Sequence, residues 1–243
     1  HDRFTFQAYD TSKFPRFQPK LSPSQLFQLQ YNSECSYYKT NYSQHPVLYY
    51  NMLLRTGNPT FNCNHLPVIF TDSRFGTEYS LEPLLEAVAY SPFTHVISLD
   101  SLRQPNLMKI IARAATRNKA CKAIRFRNCG CTTGGKDFLN EFIRTDTDYP
   151  IYYDFSGNHL RDFPDLMKSL QLITAPLVTL NFEFCDLDED TLIGLFKSIR
   201  KNDSLWGLQE LLIAGNPLTA RAINSLSNLI RKLDKHRYHA LNT

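Results

Sequence analysis

The segment Leu208-Gln-Glu-Leu211-Leu-Ile213-Ala-Gly-Asn216-Pro-Leu218 constrains this chain more than any other feature, because its apolar residues and its asparagine keep the spacing L-x-x-L-x-L-x-x-N-x-L. In such a frame a short strand turns sharply into a helix. The strand buries too little to stand alone, so the frame has to recur. It does recur, in weaker form, at Leu177, Leu180, Phe182, Cys185 and Leu187, and at Cys121, Ile124, Phe126, Cys129 and Cys131, with Cys in place of Asn. Fainter copies run through Tyr153, Phe155, Asn158 and Leu160, through Ile97 and Leu99, and through Val68, Phe70 and Phe75. The third apolar position marks each copy at Phe70, Leu99, Phe126, Phe155, Phe182 and Ile213, giving intervals of 29, 27, 29, 27 and 31 residues.

Between the strand frames the apolar spacing changes to that of a helix, at Leu81, Leu84, Leu85 and Val88, at Leu107, Ile110, Ile111 and Ala114, at Phe138, Leu139 and Phe142, and at Leu192, Leu195, Phe196 and Ile199. Each unit is therefore expected to be strand, turn, helix. Stacking such units predicts an α/β leucine-rich-repeat solenoid, ribonuclease-inhibitor-like, with a parallel concave sheet and outer helices.

Residues 67–243 are read as the repeat domain, about six repeats, truncated where Tyr238 and Leu241 restart the frame. Residues 46–66, with Val47-Leu-Tyr-Tyr and the turn-like Gly57-Asn-Pro, are expected to form the N-terminal cap. Residues 1–45 show no repeat period. Pro15, Pro19 and Pro23 suggest a linker or docking arm with one short helix at most, over Ser24–Gln30, whose Phe4, Phe6, Tyr9, Phe14 and Phe17 shield the first repeats. The opening His1-Asp-Arg lacks Met and any signal-peptide core, so the chain is read as an excerpt of something longer.

With 42% hydrophobic residues the chain has material for one core, and no run of about 18 apolar residues suggests a membrane span. Cys121, Cys129, Cys131 and Cys185 fall on core positions of the frame, where the thiol acts as a small hydrophobe. Cys129-x-Cys131 has too short a gap for a zinc pair, so neither metal nor cofactor is expected. Asn41-Tyr-Ser43 and Asn202-Asp-Ser204 match the glycosylation triplet, but a cytoplasmic location is expected, possible cortex or plasma-membrane contact included. The net charge is +4. Its basic clusters, Arg103, Lys109, Arg113, Arg117, Lys119 and then Arg221, Arg231, Lys232, Lys235, Arg237, read as solvated helix faces, with an acidic partner or membrane surface as the alternative and no nucleic acid.

Gly130-Cys-Thr-Thr-Gly-Gly135-Lys136-Asp137 imitates a phosphate-binding loop, yet Asp137 stands where a hydroxyl should hold magnesium. Gly is also required there simply to turn strand into helix. Asp186, Asp188, Glu189 and Asp190 sit at an expected helix N-terminus, where carboxylates complement the helix dipole. No catalytic set is legible, and the chain is expected to be no enzyme.

Partner binding is the default use of a concave sheet. Side chains alternating with the core positions should face it: Ser98 and Asp100, Arg125 and Arg127, Asp154 and Ser156, Asn181 and Glu183. The candidate partner-binding residues are Asp100, Arg125, Arg127, Asp154, Asn181 and Glu183. Their charges either meet a partner or merely pair across strands. Phe184, beside the turn, is expected to pack rather than to bind.

The order of Tyr90-Ser-Pro-Phe-Thr-His-Val-Ile-Ser-Leu99, then Leu107 to Asn118, then Ile124-Arg-Phe-Arg-Asn-Cys-Gly130 resembles the opening repeats of the CARMIL family of cytosolic actin regulators, over roughly residues 30–230. The resemblance implies a protein-interaction scaffold in actin capping at the cell cortex, with cytoskeletal partners, membrane association through flanking domains, and a possible homodimer in the full-length protein. It transfers no functional residue onto this segment. The alternative is a leucine-rich-repeat regulator of a small GTPase, such as a Ran or Rho GTPase-activating protein or its repeat arm, with Arg127 as the nearest candidate catalytic arginine.

Overall fold

The computed structural model describes residues 21–72, 74, 78–104, 106–130, 152–160, 170–174 and 176–241. The arm aromatics before residue 21, the helix expected around Phe138, Cys131 and the rest of the loop to Asp137 lie outside the described residues.

Six strands, β1 (Thr60–Asn62), β2 (Val96–Asp100), β3 (Ala123–Arg127), β4 (Tyr152–Asp154), β5 (Thr179–Asn181) and β6 (Glu210–Leu212), form one all-parallel sheet in chain order. Parallel neighbours need long crossovers, and the described ones carry helices. These are α3 (Val68–Thr71) and α4 (Leu81–Ala89) after β1, α5 (Leu107–Arg117) after β2 and α6 (Glu189–Lys201) after β5, while α7 (Ala220–Leu241) follows the last strand. Two more helices, α1 (Pro23–Tyr38) and α2 (His45–Thr56), precede the sheet. The result is a mixed α/β, repeat-like arrangement.

Register follows the sequence frame. Phe61, Ile97, Ile124, Tyr153, Leu180 and Leu211 are direct cross-strand partners, and Leu99 pairs with Phe126. All but Leu211 are buried. The Phe155 and Phe182 rings continue the second row, stacked with centroids 5.6 Å apart. Helical apolar residues close the core from the other side: Leu84, Leu85 and Val88 of α4, Ile111 and Ala114 of α5, Leu195, Phe196 and Ile199 of α6. At the β6 edge burial falls off, with Leu211 and Ile213 only half-buried and Ile223 and Ile230 of α7 exposed.

Two polar rows join one unit to the next. The first is the frame's Asn position. Asn158, wholly buried, donates from Nδ2 to the carbonyls of Phe126 (2.7 Å) and Phe155 (2.8 Å) and accepts from the Cys129 amide (2.9 Å). Asn216 repeats this with Phe182, Ile213 and the Leu187 amide. Where Cys replaces Asn, the Cys185 thiol donates to the Phe155 carbonyl at 3.1 Å. The second row lies where each helix returns to the sheet. Asn118 Nδ2 donates to the Val88 carbonyl, and Asn202 Nδ2 to those of Leu170 and Ile173. Both bond carbonyls about one repeat upstream and so tie each helix end to the unit before it. Asn202 is therefore committed to the core and is no glycosylation acceptor in the folded chain.

Three expectations change. The strand expected around Val68 and Phe70 is helical, and the first strand is Thr60–Asn62, which pairs with β2. Pro67 opens α3 as its cap, which disfavours a strand there. The helix expected to end by Gln30 runs to Tyr38. Ser22 and Gln25 form a reciprocal capping box and Pro23 sits in the first turn, while Phe27, Tyr31 and Cys35, four apart, bury one stripe against α2 and α4. Phe27 stacks on Tyr50 of α2 with centroids 4.1 Å apart. Finally, the frame expected to restart at Tyr238 is the last part of α7, because no Gly or Pro interrupts the helix after Pro217.

Of the basic residues of α5, Lys109 and Arg117 are exposed, as on a solvated helix face, and Arg113 is partly buried. Arg113 pairs with Glu82 and with Glu86, and Arg117 pairs with Glu86 at 2.6 Å, Glu86 being almost wholly buried. Arg113 also donates to the Tyr38 hydroxyl at 2.9 Å, tying α1 to α5. Burial pushes that phenol up to about 12, with Arg113 acting in the opposite sense.

Candidate partner-binding face

On the sheet face opposite the core, register brings the expected residues into two rows. Asn62, Ser98, Arg125, Asp154, Asn181 and Leu212 form one, and Asp100 pairs with Arg127 in the next. Backbone bonds beyond the paired residues, Asn128 to Ser156, Gly157 to Glu183 and Phe184 to Ala214, extend the second row through Ser156 and Glu183.

The six candidates divide by role. Asp154 and Asn181 are about 5% and 6% exposed. Asp154 Oδ1 accepts from the Ser156 amide (3.1 Å) and hydroxyl (2.7 Å), and Asn181 Oδ1 accepts from the Glu183 amide (2.8 Å). Each closes a turn onto its own backbone two residues later, which suits the end of a short strand. Asp154 Oδ2 also faces Arg127 Nε at 3.2 Å, an ion pair without hydrogen-bond alignment. Arg127 keeps 40% of its side chain exposed. Arg125 lies with its guanidinium 5.9 Å from the Tyr152 ring centroid. Burial and Asp154 raise the Tyr152 phenol, opposed by Arg125 and Arg127. Asp100 is fixed through its backbone, whose amide donates to Asn64 Oδ1 at 2.9 Å, and its carboxylate accepts from the Ser101 hydroxyl. Arg125, Arg127, Asp100 and Glu183 are thus the partly exposed charges, and Asp154 and Asn181 hold the frame beneath them.

Immediately past the strands lies a row not seen in the sequence. Ser101, Asn128, Gly157, Phe184 and Gly215 occupy one frame position, and all have positive φ, from 49° to 74°. Gly and Asn suit this left-handed conformation; for other side chains it costs about 1–2 kcal/mol. Phe184, with φ of 52°, accepts that cost and is still 68% exposed. Its expected role as packing holds only on one side, where the ring lies against Gly215, leaving no room for a Cβ there. The signal was available: counting two residues past each marker reaches Gly157, Phe184 and Gly215, so an aromatic stands where its neighbours are glycine.

The acidic run also finds its place. Asp188 caps α6, accepting from the Thr191 amide at 2.8 Å, and Glu189 faces Arg221 at 3.1 Å. Among the described residues, Asp186 forms its ion pair with His159, at 3.9 Å. The buried thiols of Cys121, Cys129 and Cys185 are pushed up to about 12 by desolvation, as frame positions inside a core require. Among the described residues no helix is long and apolar enough to cross a membrane.

No family model matches this chain. Among solved structures it is similar to the leiomodin-1 actin-binding site 2, with a TM-score of 0.37 and 15% identity over 79% of this chain and 91% of that chain.

Proposed function

We propose that the chain is a non-enzymatic leucine-rich-repeat scaffold whose sheet face binds a protein partner, acting in actin regulation at the cell cortex as the sequence resemblance to the CARMIL family suggests. The supporting observation is the division of labour on that face. Asp154 and Asn181 are consumed in building the strand ends, while Asp100, Arg125, Arg127 and Glu183 project charge of both signs that the core does not require. Alternating charges on a rigid sheet select a partner by complementarity and register rather than by apolar area.

Arg127 is held on a strand by Asp154 rather than carried on a reaching loop, which favours scaffold over GTPase regulator. A pull-down with the full-length protein tests the reading. Wild type should retain cytoskeletal proteins, and the double reversal Arg125→Glu, Arg127→Glu should lose them while keeping its circular dichroism, with a melting temperature lowered because Arg127→Glu faces Asp154 with a like charge. Equal retention by both proteins would discard the binding face.

A further inference from the structure

Phe184 has no counterpart in its row, whose other members, Ser101, Asn128, Gly157 and Gly215, are small or polar. An exposed aromatic in a left-handed conformation carries backbone strain and gains little from burial to offset it. Such an outlier, kept in place by the glycine beneath it, is a reason to look for a ligand.

The surroundings specify which ligand. Glu183 precedes Phe184 and Asp186 follows two residues on. The Glu183 carboxylate accepts from Asn181 Nδ2 at 3.2 Å, and Asp186, 59% exposed at its side chain, faces His159. No Lys or Arg lies within ion-pair distance of either carboxylate among the described residues. One ring face is taken by Gly215. An exposed ring whose chain neighbours one before and two after carry carboxylates attracts a cation that is weakly hydrated and flat, which is the guanidinium of arginine before the ammonium of lysine.

We propose that Phe184, Glu183 and Asp186 form a pocketless docking site for an arginine side chain of an extended basic peptide segment in a partner protein. This rests on the reading that the adjacent sheet face binds protein, and it names the chemistry at the rim of that face. The peptide backbone passes the strand ends, its arginine stacks on the ring, and its charge meets Glu183 and Asp186.

The test is selection of random dodecapeptides displayed on phage against the full chain, in parallel with Phe184→Asn and with Arg125→Glu, Arg127→Glu. Asn already occupies this position in the third strand's unit, so Phe184→Asn should fold with an unchanged or higher melting temperature. Peptides retained by wild type and lost on Phe184→Asn should be enriched in arginine. Synthetic copies should bind at least tenfold more weakly to Phe184→Asn, and should weaken again when arginine is replaced by citrulline. Phe184-dependent peptides that are neutral or acidic would overturn the inference. So would finding no such peptides, or a self-association in sedimentation that Phe184→Asn abolishes. Peptides lost only on the arginine reversals would overturn it while retaining the sheet face as a binding site, and loss of neither kind would remove both.

Discussion

Replacing Asn158 with Ala probes the joint between units most sharply. Its amide serves four backbone groups, the carbonyls of Phe126, Phe155 and, at 3.5 Å, Ser156, and the amide of Cys129; the Ser156 carbonyl also accepts from the Asn128 amide. Phe155 keeps another donor in the Cys185 thiol, so the substitution orphans chiefly the Phe126 carbonyl and the Cys129 amide. Asn158 is fully buried, so water cannot replace the lost partners without entering the core. Each orphaned buried group costs about 1–3 kcal/mol, which places Asn158→Ala at about 2–6 kcal/mol for the two. Asn158→Cys should cost roughly half of that. A thiol there can donate to the Phe126 carbonyl as Cys185 does to that of Phe155, but it serves the Cys129 amide poorly. Urea unfolding followed by circular dichroism gives the midpoints, with an unchanged slope showing that the unfolding reaction is the same. A loss below about 1 kcal/mol for Asn158→Ala, or a Cys variant weaker than the Ala variant, would refute the reasoning.

Gly215→Ala should destabilise by more than the roughly 1–2 kcal/mol of its left-handed backbone, because the added Cβ overlaps the Phe184 ring, and Phe184→Asn in the same chain should recover the excess, as a double-mutant cycle in urea would show. Arg113→Ala leaves buried Glu86 with Arg117 alone and frees Tyr38, so a loss of about 2–4 kcal/mol is expected by thermal melting, and less for the more exposed Arg117→Ala. Stability should fall in alkali. The thiols of Cys121, Cys129 and Cys185 titrate near 12 when folded against 9.0 ordinarily, so their contribution is complete below pH 9. Between pH 9 and 12 the unfolded chain alone releases these protons, and the loss is about 4 kcal/mol per pH unit for the three together, read from denaturant midpoints at stepped pH. By the same burial, those three peptides should label with a thiol reagent at pH 8 only as fast as the protein unfolds.

The parts of this fold legible in the sequence are those where one residue type has one job. Leu180 and Phe182, or Ile124 and Phe126, alternate inward on a strand, and Asn158 and Asn216 are identifiable because only an amide both donates and accepts at the turn. The first strand escaped because Thr60-Phe-Asn62 holds a single large apolar residue, and because its frame is separated from the next by a longer crossover. The first helix escaped because its buried stripe, Phe27, Tyr31 and Cys35, lies among glutamines and tyrosines that look like linker. Of the candidate site, alternation assigns six residues to one face, but which of them are spent on the strand ends depends on bonds to backbone two residues on. Asn118 and Asn202 looked like ordinary loop residues, since their partners lie about a whole repeat away. Phe184 was visible as an aromatic near a turn; its conformation follows only from the row in which it stands.

The most direct test of a partner-binding sheet face is site-specific photo-cross-linking in cells. A benzophenone amino acid is placed at Arg125, on the face, or at Lys197, on α6. The account predicts that a protein is captured from Arg125 and not from Lys197, and that Arg127→Glu in the same chain reduces the capture. Capture of the same protein from Lys197 alone, or equally from both positions, would contradict it.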